Sequence, residues 1–182
     1  MIQLFTELQE KKNVRSNLSA LRASLKEATE EQKAQAIEFV RGHEDLVFGF
    51  LQEEDAKTRK NAALLLGDLA VQNALQPLWK AYTREQTLFV KSAYLEAMKA
   101  LHAEEILSQL KDRFAELEGE PVTEENRKHR EAELRALRAI LIQYEGIDTH
   151  HFDIKQKNNH VLLVTNRNHR GILENQTGGK AH

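Results

Sequence analysis

Cations with the spacing to bind phosphate groups are concentrated near the end of the helical part of this chain. Arg127, Lys128, Arg130, Arg135 and Arg138 make the last predicted helix the most basic one. On a helix, Arg127, Arg135 and Arg138 fall within about 80° of one another, an arrangement that could contact a nucleic-acid backbone. Glutamates are interleaved with these cations, so a solvated face with ion pairs along the helix is the alternative.

Histidines are concentrated in the C-terminal tail, which holds five of the eight in the chain. His150, His151 and Asp153, together with His160 and His169, offer the imidazole and carboxylate groups that suit zinc or iron. Adjacent histidines point in different directions on any regular element, however, and the spacing H-E-x-x-H does not occur. The sequence therefore favours a solvated polar loop over a metal site.

The chain carries no recognisable catalytic pattern. It has 182 residues and no cysteine, which excludes disulfides, thiolate metal ligands and a cysteine nucleophile. Neither a paired-carboxylate site nor a Ser/His/Asp triad nor a phosphate-binding loop can be assembled from its motifs. We therefore expect no catalytic residue and no cofactor in this chain.

No segment of the sequence predicts export or insertion into a membrane. The N-terminus lacks the basic start and long apolar run of a signal peptide. No apolar stretch approaches the roughly 20 residues that are needed to span a bilayer. With 30% charged residues and a net charge of only −2, the chain is expected to be a soluble cytoplasmic protein without a membrane partner.

Residues 46–69 and 78–101 repeat one pattern 32 residues apart. Leu46 corresponds to Leu78, and similar apolar matches continue through both segments. A period of about 30–45 residues with two helices in each period is typical of an α-solenoid. One helix pair cannot cover its own apolar face, so it has to stack on a neighbouring pair.

Helical periodicity extends from Ile2 to Ile147 and predicts four helix pairs after a short capping helix. The pairs span 14–42, 44–71, 74–101 and 104–145. Asp55 is placed to cap the long helix of the second pair, which is expected to run through Ala70, and Pro77 sits in the first turn of a helix, where its missing N–H costs nothing. The helix after Pro77 is followed by one from about Glu85 to Leu101, whose buried face is expected to hold Val90, Ala93, Tyr94 and Ala97. The helix from about Glu30 to Arg41 is expected to bury Ile37 and Val40. The predicted fold is all-α, a right-handed α-solenoid over residues 1–147.

The second pair resembles the HEAT family of helical repeats. The matching stretch begins at Asp55 and reads Asp-Ala-Lys-Thr-Arg-Lys-Asn-Ala-Ala-Leu-Leu-Leu-Gly-Asp-Leu, followed by Ala-Leu-Gln-Pro-Leu from Ala74. In that family an acidic residue opens the inner helix, a small Ala-Ala step lets helices approach, and a Leu-Gly-x-Leu segment closes the helix. The next repeat has Lys99 where Gly67 stands. The resemblance implies a stacked helical fold.

Arg59, Lys91 and Arg130 occupy equivalent positions in successive repeats, and Asp55 comes one turn before Arg59. This recurrence predicts a ladder of charges between the inner helices. Such cations are also the ones that a binding partner could contact. The candidate partner-binding residues are Arg59, Lys91, Arg127, Arg130, Arg135 and Arg138.

Four aromatic residues cluster in the third helix pair: Trp79, Tyr82, Phe89 and Tyr94. Aromatic side chains at this spacing are typical of a core. The alternative is that one or two of them line a concave groove and anchor a partner there.

The tail, residues 148–182, differs from the rest of the chain. Residues 1–149 carry 21 lysines and arginines against 26 acidic residues, whereas residues 150–182 carry five against two. The β-branched run from His160 to Thr165 predicts a strand, which cannot satisfy its backbone hydrogen bonds alone. The strand would pair with another copy of the chain, or it would begin the sheet of a following domain.

The second possibility is supported by a resemblance in the same tail. His151-Phe-Asp153 and Val161-Leu-Leu-Val-Thr-Asn-Arg-Asn168 resemble the first strand of a family of RNA methyltransferases, some of which have helical-repeat extensions. The glycine-rich turn for S-adenosylmethionine and the Asp/Asn-Pro-Pro-aromatic motif are both absent. The resemblance implies that catalysis would lie beyond His182, with this chain as an accessory region.

Three functions follow as hypotheses. In the first, the chain is a non-catalytic HEAT-repeat scaffold that offers its concave face to a protein or RNA, in front of a larger methyltransferase-like enzyme. In another, the chain is a pure scaffold that binds a protein partner. The alternative is a free-standing HEAT-like protein that binds nucleic acid. The acidic balance of residues 1–149 weighs against the alternative, because a nucleic-acid surface needs an excess of cations.

Overall fold

A computed structural model describes residues 1–144, and in this part the chain consists of helices and short connections without a strand. The predicted all-α class is confirmed for these residues, whereas the predicted strand at 160–165 lies outside them. The helices are α1 (Ile2–Gln9), α2 (Val14–Leu25), α3 (Glu30–Gly42), α4 (Glu44–Gly49), α5 (Ala56–Asp68), α6 (Leu75–Arg84), α7 (Leu88–Ala100), α8 (Leu107–Gly119) and α9 (Arg127–Leu141). Short 3₁₀ turns occupy Phe50–Gln52, Gln72–Ala74, Ala103–Ile106 and Ile142–Tyr144.

Several helices begin where a side chain accepts from the free N–H groups of the first turn. The carboxylate of Asp55 accepts from the backbone N–H of Thr58 at 2.8 Å, as the sequence predicts for the start of α5. Thr29 and Gln32 form a reciprocal capping box at the start of α3. Pro77 lies in the first turn of α6, also as predicted.

Within residues 1–140, which form one compact unit, α5 is the central helix. It packs against α2 on one side and α7 on the other, and α6 packs against α7. Of the two helices in the first predicted pair, α2 packs beside α5, whereas α3 packs against α4. The buried stripe of α2, with Leu18, Leu21 and Leu25, provides the apolar surface for this contact.

The contact between α5 and α7 depends on a glycine. A Cβ atom at Gly67 would lie 2.9 Å from the Cα atom of Ala97 and 3.3 Å from its Cβ atom. Any larger residue at 67 would push the two backbones apart. The Ala-Ala step at Ala62 and Ala63, whose side chains are fully buried, extends this tight packing along α5.

Three details differ from the sequence predictions. Ile37 is only partly buried, because α3 turns Ala36 and Phe39 inward beside Val40. The helix predicted from residue 85 begins at Leu88, because Glu85 is extended and ends α6.

The helix predicted to reach Ala70 ends at Asp68. Ala70 has a positive φ of 51°, and its N–H donates to Gly67 O while that of Val71 donates to Leu66 O, both at 3.0 Å. These two bonds form a Schellman motif, which ends the helix.

Among the helices of residues 1–144, none is both long enough and apolar enough to cross a membrane.

Candidate interaction surfaces

Arg59 lies near the start of α5, and all three of its guanidinium nitrogens make contacts inside the protein. Nε and Nη2 donate to the carboxylate of Glu85 at 2.8 and 3.1 Å. Nη1 donates to the backbone oxygens of Glu53 and Glu54 at 2.7 Å each. The Glu85 carboxylate also accepts from two backbone N–H groups just before α7. Arg59 therefore joins the start of α5 to the segment between α6 and α7.

Four helices meet at the buried carboxylate of Glu133 in α9. It accepts from the hydroxyl of Tyr82 in α6 and from Nε of Arg113 in α8 at 3.1 Å. Nζ of Lys91, in α7, lies 3.4 Å from the second carboxylate oxygen and 5.7 Å from the centre of the Tyr82 ring. This cluster joins α9 to α6, α7 and α8.

The ion pairs of Arg59 and Lys91 both join a cation of one predicted helix pair to a carboxylate of the next predicted pair. A weaker example occurs one pair earlier, where Arg15 in α2 lies 3.8 Å from Asp55. The predicted charge ladder is therefore present at Arg59 and Lys91. At the third predicted position, Arg130, the structure shows a different contact.

The side chain of Arg130 caps the C-terminal end of α8. Its Nε and Nη2 atoms donate to the backbone oxygens of Leu117 and Glu118 at 2.7 and 3.1 Å. These oxygens belong to the last turn of α8, where carbonyl groups have no partner within the helix. Arg59 does the same for the carbonyl groups that follow the 3₁₀ turn after α4.

The other three candidate arginines are exposed on α9. Arg127 lies 3.4 Å from Glu124, and the guanidinium of Arg138 lies 5.5 Å from the centre of the Phe114 ring. Arg135 has no ion-pair partner among residues 1–144. The structure thus separates the six candidates into three that connect helices and three that remain open to contact.

The pKa values of the buried carboxylates are shifted by their burial and by the groups that contact them. Burial alone would raise the pKa of Glu133, but the hydrogen bonds from Tyr82 and Arg113 and the charge of Lys91 outweigh it and hold the value below normal. Burial also opposes ionisation of Glu85, and the Arg59 guanidinium together with two backbone N–H groups overcomes it, so this pKa is lowered too. Both carboxylates are therefore held as anions.

Burial and the neighbouring carboxylate raise the pKa of Tyr82 far above normal. Burial likewise raises the pKa of Tyr94, whose hydroxyl donates to the backbone oxygen of Leu51 at 3.2 Å. Both phenols are held neutral, as hydrogen-bond donors within the core.

An open groove of about 830 Å³ lies between the segment around α4 and helix α6. We call it the α4–α6 groove. Phe48 and Trp79 contribute aromatic surface, and Arg59, Glu85 and Tyr94 contribute polar groups that are already bonded within the protein. The remaining lining residues are Leu51, Gln52, Glu53, Glu54, Gln76, Pro77, Lys80, Ala81, Arg84, Gln86 and Thr87.

A second concavity, of about 740 Å³, is made by α5 and α7 alone. We call it the α5–α7 surface. Its most exposed apolar residue is Phe89, with 48% of its surface accessible. Leu64 and Leu88 are partly exposed beside it, and Lys57 and Lys60 follow α5 along one edge. Ser92, Ala93 and Glu96 complete it.

No protein-family model, curated protein or solved structure matches this chain. A role for these surfaces is therefore argued only from their own contacts and charges.

The four aromatic residues of the third predicted pair differ in how deeply their side chains are buried. Tyr82 and Tyr94 are buried, and Trp79 is partly buried with its ring centre 5.3 Å from that of Tyr82. Phe89 is outside the core. Around α7, Phe89 lies about 100° from Val90 but only about 40° from Ala93, and both of these residues are buried, so its position on the helix does not by itself place it outside the core.

Lys57 and Lys60 were not among the sequence candidates, since single lysines on a helix are usually solvated. In the described part of the chain, no group of three or more histidines and acidic residues could hold a metal ion. The histidine-rich segment from His150 to His169 lies outside that part.

Proposed function

We propose that this chain is a non-catalytic interaction module of the cytoplasm, a HEAT-like stack of four helix pairs that binds a partner on the α5–α7 surface. The observation that carries the proposal is the exposure of Phe89, which is 48% accessible. An aromatic side chain open to water beside two partly exposed leucines can serve as a binding anchor. In a HEAT-like solenoid, α5 and α7 are inner helices, so this surface would be its concave face.

The order of the helix contacts supports the solenoid. Cations of one pair meet carboxylates of the next at Arg59 and at Lys91, so each pair is joined mainly to its neighbours. The close approach of Gly67 to Ala97 has the same effect. Nearest-neighbour joining of this kind is what a stack of repeats requires.

The state of the buried polar groups supports binding over catalysis. Glu85 and Glu133 have their carboxylates occupied by cations and hydroxyl or backbone donors. Tyr82 and Tyr94 donate their hydroxyl hydrogens within the protein. A general acid or base has to reach the proton that it transfers, and these groups face other protein groups.

The resemblance of the tail suggests that the module belongs to a larger methyltransferase-like protein. The intact mass of the protein from its source cell tests this part. A mass well above 20.9 kDa would support it, and a mass near that value would contradict it. The binding role of α5 and α7 does not depend on the outcome.

Affinity capture from the source cell, followed by quantitative mass spectrometry, tests the binding role. The bait is the full chain, compared with Phe89→Ala and with Val122→Ala, which shortens another exposed apolar residue. We expect a partner to be retained by the wild type and the control and reduced about tenfold by Phe89→Ala. Equal capture by all three baits, with each bait shown to be folded by circular dichroism, would contradict the proposal.

The exposed arginines of α9 support a second candidate, contact with RNA. Arg127, Arg135 and Arg138 are accessible and could reach phosphates. The test is binding of a labelled single-stranded RNA by the wild type and by Arg135→Glu with Arg138→Glu, over a range of salt. Binding that falls with salt and is lost in the double variant would favour RNA; salt-independent or absent binding would exclude this candidate.

A further inference from the structure

We infer that the partner of the α5–α7 surface is an acidic amphipathic helix, which sets apolar side chains against Leu64, Leu88 and Phe89 and its carboxylates against Lys57 and Lys60. The inference rests on the proposed function and names the class of partner that this surface accepts.

The backbone of this surface excludes pairing with an extended peptide. Both walls are α-helices, whose interior N–H and C=O groups are already bonded within each helix. A partner gains no backbone hydrogen bonds here, which favours one that satisfies its own backbone groups, as a helix does. Recognition of this kind uses apolar side chains spaced at i, i+3, i+4 and i+7.

The charge of the surface favours carboxylates at one end. Lys57 and Lys60 lie three residues apart on α5, so they share one side of the helix. Neither has an ion-pair partner among residues 1–144, whereas Arg59, between them in the sequence, is paired. Two lysines that flank an apolar patch and form no ion pair within residues 1–144 are complementary to an acidic partner, although Glu96 contributes one carboxylate elsewhere on the same surface.

The charges of the α5–α7 surface are distributed along the shared direction of α5 and α7. Arg59 contacts Glu85 near the starts of the two helices, and Gly67 contacts Ala97 near their ends, so the helices run the same way. Phe89 and the two lysines therefore lie near the starting end, and Glu96 lies farther along. Acidic residues of the partner should gather at the lysine end and be absent opposite Glu96.

Nucleic acid is less favoured on this surface. Partly exposed leucines accept aliphatic side chains, whereas single-stranded nucleic acid is held by stacking on several aromatic faces along a basic channel. Phe89 is the one aromatic residue that contributes to the α5–α7 surface.

The test uses the full chain and dye-labelled synthetic peptides of about 18 residues, long enough for five helical turns. The first has leucines at i, i+3, i+4 and i+7 with glutamates between them. The second has lysines in place of the glutamates, the third has glutamines, and the fourth has the first composition in scrambled order. A labelled oligouridylate is the nucleic-acid probe. Fluorescence anisotropy gives each dissociation constant.

We expect the acidic amphipathic peptide to bind about tenfold more tightly than the glutamine peptide, and the scrambled peptide to bind no better than background. Phe89→Ala should weaken the binding about tenfold. Lys57→Glu with Lys60→Glu should reverse the preference toward the lysine peptide. Lys80→Glu with Arg84→Glu, an equal charge change at exposed positions in the α4–α6 groove, should leave the binding unchanged.

Each contrary outcome is distinct. If the lysine or glutamine peptide binds best and needs Phe89, the acidic class is wrong while the proposed function stands. If no peptide depends on Phe89, both are wrong. Equal binding of the scrambled acidic peptide would show charge attraction alone and overturn the amphipathic helix, as would oligouridylate that competes for the same lysines.

Discussion

The guanidinium of Arg59 and the carboxylate of Glu85 make a two-point ion pair, Nε to Oε2 at 2.8 Å and Nη2 to Oε1 at 3.1 Å. The Glu85 side chain is only 5% exposed and that of Arg59 only 17%. The pair connects α5 to the segment that begins α7, and it forms part of the α4–α6 groove. It thus links α5 to the segment between α6 and α7.

Arg59→Met should destabilise the protein by about 3 kcal/mol, because it leaves a buried carboxylate without its cation. The measurement is the free energy of unfolding in urea, followed by the fluorescence of Trp79, the single tryptophan of the chain. The control is Arg15→Met, which breaks an exposed ion pair with Asp55 and should cost less than about 1 kcal/mol. Equal losses in the two variants would show that the Arg59 contact is no more than a surface ion pair.

Stability should fall as the solution becomes acidic. The folded-state pKa values of Glu85 and Glu133 lie below the ordinary value of 4.5. Above about pH 4.5 both carboxylates are ionised whether the protein is folded or unfolded, so their contribution is complete. As pH falls toward the lower folded-state pKa, the unfolded chain takes up protons first and stability is lost.

The variant Glu133→Gln checks the origin of this loss. Its urea midpoint should be lower than that of the wild type at pH 7 and should change less between pH 5 and pH 3, about the range in which a glutamate titrates. Glu125→Gln changes an exposed residue and should leave the wild-type profile intact. An unaltered profile in Glu133→Gln would assign the acid sensitivity to other carboxylates.

Gly67→Ala should destabilise the protein by about 1–3 kcal/mol, because the new methyl group meets the backbone of Ala97. Gly49→Ala is the matched control, since Gly49 ends α4 with no atom within 4 Å of an added Cβ. There the gain in helix propensity should stabilise the protein by up to about 1 kcal/mol. Thermal unfolding by circular dichroism measures both, and a neutral Gly67→Ala would show that α5 and α7 can separate easily.

Ala70→Gly should stabilise the protein by about 0.5–1 kcal/mol. At a φ of 51° an alanine is strained by roughly 1–2 kcal/mol, which exceeds the entropy that a glycine loses on folding. Ala100→Gly, in the last turn of α7, where the following residue is extended, should destabilise instead. The same sign for both variants in urea unfolding would rule out strain at Ala70.

Local signals in the sequence account for most helix boundaries. Asp55 caps α5 and Pro77 opens α6 because each acts within one turn of its own position. The end of α5 was predicted two residues late, since the Schellman motif there uses Ala70 in a conformation that usually needs glycine. Such a motif leaves no compositional sign when the glycine is missing.

The sequence by itself determined the all-helical class of residues 1–144 and the buried stripe of α7 from Val90 to Ala97, since both depend on periodicity along one helix. Only the tertiary structure decided that Arg59 pairs with Glu85 and that Phe89 faces water. Periodicity shows which side of a helix is apolar, but the helix that packs on that side is set by contacts between distant segments. Those contacts decide which residues beside the stripe are covered and which remain free to bind.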